Sequence, residues 1–346
     1  MMKIAGRSVG PEHSPFIIAE VAQSHEGSLG NAFAFAKVAK ECGAHAIKFQ
    51  THIAAEESTP QEPWRIPFSR QDESRYAYWQ RMEFTFEQWK ALKEHCDNLG
   101  IIFLSSPFSM LACDWLESLN VPAWKVASGE IHNTQLIERM ISTGAPLLIS
   151  TGLARPEEAK EIVRNVQKRA RQVALFHCTT RYPTPSDEVG LNVMIDYMAS
   201  LPGVPVGLSD HSGTPTAGTI ASYLGASLIE VHLTLHDDMF GPDVSSSLTP
   251  AQLKQLVRNS SDAWQMRCCP VDKDAQIDSL ANERSIFGRS LFTVLPLPAG
   301  AIIDESNLSY RKPGGGLAYE NRNSIIGRKM RWAVPAHYML KETDVE

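Results

Sequence analysis

The segments V-P-V-G-L-S-D-H-S (204–212) and S-L-I-E-V-H-L-T-L-H-D-D-M-F-G-P-D (227–243) decide how the chain folds. They predict a strand running up to His211, a helical crossover, and a second strand ending at His232. Side chains alternate along a strand, so if Ile229, Val231 and Leu233 face a layer of helices, Leu228, Glu230 and His232 face the other way. A carboxylate and an imidazole then point into the interior of a sheet. Gly207, Ser209 and His211 share the equivalent face of the preceding strand. Two imidazoles at matching ends of neighbouring parallel strands suit a single divalent metal, with other coordination positions left for water and substrate.

Outward from this pair, short apolar strands alternate with amphipathic helices. Strands are predicted at 15–20, 44–50, 101–106, 123–127, 146–151, 173–178, 204–209 and 227–233. Helical stretches such as 31–42, 86–99, 111–119, 156–169 and 250–264 lie between or after them, the last entered through Thr249-Pro250, an N-cap followed by proline at the first helical position. Eight such units predict a (β/α)8 TIM barrel. A doubly wound sheet is the alternative, but no G-x-G-x-x-G follows the first strand.

A barrel of this kind places its chemistry at the C-terminal ends of the strands. Polar residues gather there: Glu20, Lys48 with Gln50, Ser105-Ser106, Lys125 leading to Ser128 and Glu130, Ser150-Thr151, and His177 to Thr180 followed by Tyr182. Two lysines aimed inward are costly without anionic partners. Lys48 and Lys125 therefore point to a phosphate or carboxylate ligand, assisted by Ser128 and Ser106, or else to resident carboxylates at Glu20 or Glu130. Ser209-Asp210-His211 has the residue types of a hydrolase triad, but consecutive strand residues face opposite ways and cannot converge. The same argument removes His177-Cys178 as a nucleophile pair and predicts that Cys178 packs in the barrel wall.

The 346 residues carry 33 basic and 39 acidic side chains, with a pI near 6.0, so no basic stripe suggests nucleic acid. No run of about 18 apolar residues occurs, and the N-terminus lacks the apolar core of a signal peptide. The six cysteines lack C-x-x-C spacing, which predicts reduced thiols in a cytoplasmic protein. The connection from His52 to Phe84 is long and carries Trp64, Phe68, Tyr76, Tyr78 and Trp79, a content that favours an ordered cover over the barrel mouth. The predicted organisation is a barrel over 1–266, a linker over 267–283 and a small β-rich domain over 284–346.

In order and spacing, F-I-I-A-E-V-A-Q-S-H-E-G, A-I-K-F-Q-T-H, S-S-P-F, K-V-A-S-G-E, S-T-G, H-C-T-T-R-Y-P-T-P, G-L-S-D-H, E-V-H-L-T and G-P-D resemble the sialic acid synthase family. P-L-P-A-G and K-P-G-G-G-L resemble that family's C-terminal antifreeze-like (SAF) domain. The resemblance implies condensation of phosphoenolpyruvate with the open-chain aldehyde of an N-acylated hexosamine, giving a nine-carbon 2-keto sugar acid and phosphate. It implies that His211 and His232 hold Mn2+ or Mg2+, that Lys48, Lys125, Ser128 and Ser209 contact phosphoenolpyruvate, and that Glu130 handles a proton of water or phosphate. Glu20, Gln50, Tyr182 and Asp243 would hold sugar hydroxyls. It also implies a homodimer in which each tail covers the partner's barrel.

Three positions depart from the family pattern: Ser24 and Thr180, which bear on the sugar's substituents, and Lys312, which stands where an arginine normally precedes Pro-Gly. Arg311 precedes it, so either cation is a candidate for the partner's sugar. Two alternatives stand beside this reading, a synthase acting on an aldose phosphate and a non-catalytic carbohydrate-binding protein.

Overall fold

A computed structural model describes residues 2–346, which divide into two compact units, the first ending at Cys269 and the second spanning Pro270–Glu346. The first begins with a hairpin, β1 (Met2–Ile4) and β2 (Arg7–Val9), turning at Ala5-Gly6, where both φ angles are positive. Eight parallel strands follow: β3 (Phe16–Ala22), β4 (Ala46–Thr51), β5 (Ile102–Pro107), β6 (Trp124–Val126), β7 (Leu147–Ser150), β8 (Val173–Cys178), β9 (Val206–Asp210) and β10 (Leu228–Leu233). Their ladder runs β5-β4-β3-β10-β9-β8-β7-β6, a near-closed barrel with its seam between β5 and β6. A two-residue strand, β11 (Ser247–Leu248), adds to β10 beside His232. All eight strands predicted from the sequence are present.

Alternation sorts the side chains into two cores. Outward residues such as Ile17, Ile47, Phe103, Trp124, Leu208 and Ile229 pack beneath the helices. Inward residues such as Ile18, Ala46, Leu104, Leu148, Phe176 and Leu228 fill the barrel's lower half, and Met2, Ile4 and Val9 of the hairpin pack with them as a floor. Strands of three residues escape a periodicity argument, so the hairpin had no sequence signal. Gly207 has a steric reason: a Cβ there would lie 2.3 Å from the carbonyl oxygen of Leu228, so only glycine lets β9 and β10 approach so closely.

The helices of 29–41, 86–99, 110–118, 156–167 and 250–268 match the predicted stretches within a few residues. Thr85 and Thr249 each close a capping box with a glutamine three residues on. The 52–84 connection is ordered: it forms helices at Ala54–Glu57 and Arg75–Met82 and clusters Trp64, Phe68, Tyr78 and Trp79. The 267–283 stretch, expected to lack periodic structure, contains Lys273–Ser279 and the start of a second helix, Ala281–Phe287.

In the second unit, β12 (Ser290–Thr293) pairs antiparallel with β13 (Leu308–Arg311). Leu291, Leu297, Ile303, Leu317, Met330 and Leu340 form its small core. Among the described residues no helix is long and apolar enough to cross a membrane, and all six cysteines are free.

Candidate active site

Two residues above the apolar layer, the inward positions change character on every strand. Ile18 gives way to Glu20, Ala46 to Lys48, Leu104 to Ser106, Ala123 to Lys125 and Leu148 to Ser150. Phe176 gives way to Cys178, Gly207 to Ser209 and Leu228 to Glu230. One polar layer therefore closes the barrel interior at the C-terminal strand ends, and above it opens a cavity of about 460 Å³.

Four buried charges dominate the layer. The Lys48 ammonium lies 2.7 Å from Glu20 and 3.6 Å from Glu230, and Lys125 lies 3.4 Å from Glu230 and donates to Ser150 Oγ at 2.7 Å. Ser209 Oγ donates to Glu230 at 3.2 Å. Burial opposes the charge on Lys48, but two carboxylates overcome it and its pKa lies above the ordinary lysine value. Burial prevails on Lys125, which has a single carboxylate in contact, and its pKa lies below that value. Burial also raises Glu20, against the pull of Lys48. Glu230 resists burial because both lysines face it, and falls to about 2. The lysines' resident partners are thus Glu20 and Glu230; Glu130 sits higher, on the turn after β6, and accepts from Asn133 Nδ2 at 2.8 Å.

Around this layer the structure brings together Gln50, Ser106, Ser128, Glu130, Thr180, Tyr182, Ser209, His211, His232 and Asp243, all lining the same cavity. Gln50 Nε2 donates to Glu20 at 2.9 Å. The His211 and His232 rings lie with centroids 5.2 Å apart, and the Tyr182 ring lies 4.1 Å from His211, tilted by 31°. His211 Nδ1 contacts the Thr179 carbonyl oxygen at 2.8 Å, which leaves Nε2 for another partner. His232 Nδ1 is buried without a hydrogen-bond partner, and burial holds this ring neutral, its pKa pushed down to about 3. A neutral imidazole with an unused nitrogen is what a divalent ion needs. The described residues form no group of three or more His, Cys, Asp or Glu around one point. The residues present fit the metal expected from the sequence.

Asp210 turns away to bond Ser212, and His177 donates or accepts outside the barrel at Val189, so neither reaches the cavity and the triad is absent. Cys178 corrects an expectation: it lines the cavity, 3.7 Å from Ser128 Oγ and 3.9 Å from His211 Nδ1. The alternation His177-out, Cys178-in was available, but nothing in the sequence said which of the two faced the helices. Sequence reasoning also left Glu230, Ser150, Arg65, His52 and Gly152 without roles. Glu230 carried a signal, two residues before His232 on the same face. Arg65 Nη2 lies 2.7 Å from Asp243 and its guanidinium 4.4 Å over Tyr182, a contact across three loops that no local pattern encodes.

In the second unit, Arg311 ends β13 with its guanidinium 3.3 Å from His337 Nδ1, and Lys312 lies 5.5 Å over the Phe287 ring. Both are exposed.

The model of the NeuB family matches residues 35–270. The N-acetylneuraminate-9-phosphate synthase of Homo sapiens is 30% identical over 94% of this chain and 91% of its own. The N,N'-diacetyllegionaminic acid synthase of Campylobacter jejuni is 30% identical over 90% of this chain and 94% of its own. The solved structure of the spore coat polysaccharide biosynthesis protein SpsE of Bacillus subtilis, also 30% identical, covers 100% of this chain and 99% of that chain with a TM-score of 0.67.

Proposed function

The chain belongs to the NeuB family, enzymes that condense phosphoenolpyruvate with sugars, and from that premise we propose that its sugar is an open-chain, unphosphorylated N-acylhexosamine. N-acetylmannosamine or a modified relative is the substrate class, and the products are a nine-carbon 2-keto sugar acid and phosphate. The observation that carries this reading is the polar layer itself, two buried lysines directly beneath two imidazoles. The absence of a second phosphate on the sugar is supported at the rim. There Arg65 is paired with Asp243 and Arg75 with Glu62, and the remaining lining lysines are the two in the floor.

Lys48 and Lys125, ringed by the hydroxyls of Ser106, Ser128, Ser150 and Ser209, bind the carboxylate and phosphate of phosphoenolpyruvate. Glu20, Gln50, Tyr182, Thr180 and Asp243 orient the sugar so that its aldehyde carbon faces the phosphoenolpyruvate methylene. His211 and His232 would hold Mn2+ or Mg2+, which supplies Lewis-acid polarisation of the aldehyde oxygen and offsets the anionic charge that two lysines, already matched by two carboxylates, do not. As the carbon–carbon bond forms, the aldehyde oxygen takes a proton from solvent. Water adds at the carbon that bears the phosphate and gives one proton to Glu130; as the carbon–oxygen bond breaks, the hydroxyl's remaining proton leaves with the phosphate and the keto group forms. The reading extends to a cytoplasmic homodimer with a SAF-type tail, supported by free thiols and by K-P-G-G-G-L.

Phosphate release from phosphoenolpyruvate, measured with a panel of N-acylhexosamines and their 6-phosphates, tests it. Turnover is expected with a free sugar, to be lost on chelation and restored by Mn2+ or Mg2+. Turnover confined to the 6-phosphates would overturn the choice of sugar.

A further inference from the structure

His52 begins the long connection after β4, is 4% exposed, and is wedged between the rings of Trp79 and Phe108 at centroid distances of 4.2 and 4.3 Å. Both of its nitrogens are engaged. Nδ1 bonds Glu57 Oε1, and Nε2 lies 3.1 Å from Gln50 Oε1. Gln50 in turn has its amide nitrogen on Glu20 Oε1 at 2.9 Å, and Glu20 holds Lys48. The chain of contacts therefore runs Glu57, His52, Gln50, Glu20, Lys48, from the cover down to the floor of the cavity.

Its polarity is fixed from the floor upward. A carboxylate only accepts, so the Gln50 amide must present its N–H to Glu20 and its oxygen to His52. His52 Nε2 must then be the donor to Gln50. Glu20 thus sets which way Gln50 points, His52 meets the Gln50 oxygen with its Nε2–H, and Glu57 anchors the other side of the ring at Nδ1. The cover locks the arrangement: Trp79, stacked on His52, donates its indole N–H to Glu62 at 2.9 Å.

We propose that His52, anchored by Glu57, is the positioning residue that holds the Gln50 amide in the orientation Glu20 requires and thereby selects among sugar stereoisomers. The inference rests on the sugar reading above, in which Gln50 and Glu20 meet sugar hydroxyls. Without the Nε2 donor the Gln50 oxygen keeps only Gln23 Nε2, at 3.5 Å, and the amide can swing about its contact with Glu20, so a sugar hydroxyl meets it at no fixed angle. Phosphoenolpyruvate, held by Lys48 and Lys125, is largely indifferent to that rotation.

The test compares wild type with His52→Phe, which keeps a ring between Trp79 and Phe108 but removes the donor, and with Glu57→Leu, which removes the group that anchors Nδ1. KM for the preferred N-acylhexosamine should rise about tenfold in either variant, as expected for one lost hydrogen bond. KM for phosphoenolpyruvate should stay within about twofold, and the preference for the sugar over its C2 epimer should fall about tenfold. His52→Gln, which can still donate to Gln50, should recover much of the epimer preference. Unchanged sugar KM and epimer preference in both variants, or a parallel rise of both KM values with a lowered Tm, would overturn the proposal. Should His52→Phe fail to fold, Glu57→Leu decides the question by itself. Failure of the underlying sugar reading looks different, since wild type would then turn over no N-acylhexosamine.

Discussion

Lys48 and Lys125 occupy the same layer yet differ in what their loss should do. Lys48 bridges two carboxylates, so Lys48→Met leaves Glu20 buried without its cation and should cost about 3–5 kcal/mol of barrel stability. Lys125→Met leaves Glu230 still facing Lys48 and should cost less, about 1–3 kcal/mol. Each should raise KM for phosphoenolpyruvate roughly 10- to 150-fold, the value of one charge-assisted hydrogen bond, with a smaller change for the sugar. Paired urea titrations and steady-state kinetics read both effects. His25 makes a separate prediction about acid. Its Nδ1 accepts the Gly27 N–H at 3.1 Å, its ring lies 4.6 Å from Phe84, and burial pushes its pKa down to about 3. Below pH 6.5 the unfolded chain therefore binds a proton that the folded chain refuses, so stability is full above that pH and declines as pH falls toward 3. At pH 4.5 the loss from this one ring is about 2–3 kcal/mol. The urea midpoint should drop between pH 7 and 4.5, and drop less steeply in His25→Phe; equal slopes would refute the assignment.

Two glycines separate what a strand needs from what a cavity needs. In Gly207→Ala the new methyl would lie 2.3 Å from a backbone oxygen of β10, which cannot move without parting the ladder, so the barrel should be destabilised by several kcal/mol. In Gly152→Ala it would meet the ends of side chains, Thr180 Oγ1 at 2.1 Å, Ser128 Oγ at 2.8 Å and Cys178 Sγ at 3.0 Å. These can rotate, but only into the cavity. That variant should fold with nearly normal Tm and lose at least tenfold in kcat/KM, so thermal melts beside kinetics distinguish the two. The same contrast explains what the sequence disclosed. Strands such as β4 and β10 were legible because an apolar outer face against a polar inner one survives in any window of six residues, and His211, His232, Lys48 and Lys125 fell out of that count. Gly207 looks like any strand glycine until its neighbour is known, and Cys178 could equally have faced the helices. His52 and Glu57 are five residues apart, one on a loop and the other closing a four-residue helix too short to show a period, and Trp79 and Phe108 hold the ring from two other elements.

For the whole molecule, the resemblance suggests that the tail of one chain serves the barrel of another, with Arg311 or Lys312 as the cation. Mixing a chain truncated after Cys269 with a His211→Ala chain should restore activity in the heterodimer, since each supplies what the other lacks; a heterodimer shown to form yet inactive would reject the arrangement. Within the barrel itself one gap has a further meaning. No backbone ladder joins β5 to β6, and β6 is three residues long, bonded on one side to β7 alone. Ser106 and Lys48 lie to one side of that gap, Lys125 and Ser150 to the other. An anion gripped by both lysines, as proposed above, would span the break and stitch it from within. In deuterium exchange the amides of Trp124–Val126 should open sooner than those of β3 or β10, and phosphoenolpyruvate should slow them most. A wall left unsewn by its own backbone would in that way be finished by the molecule it takes in.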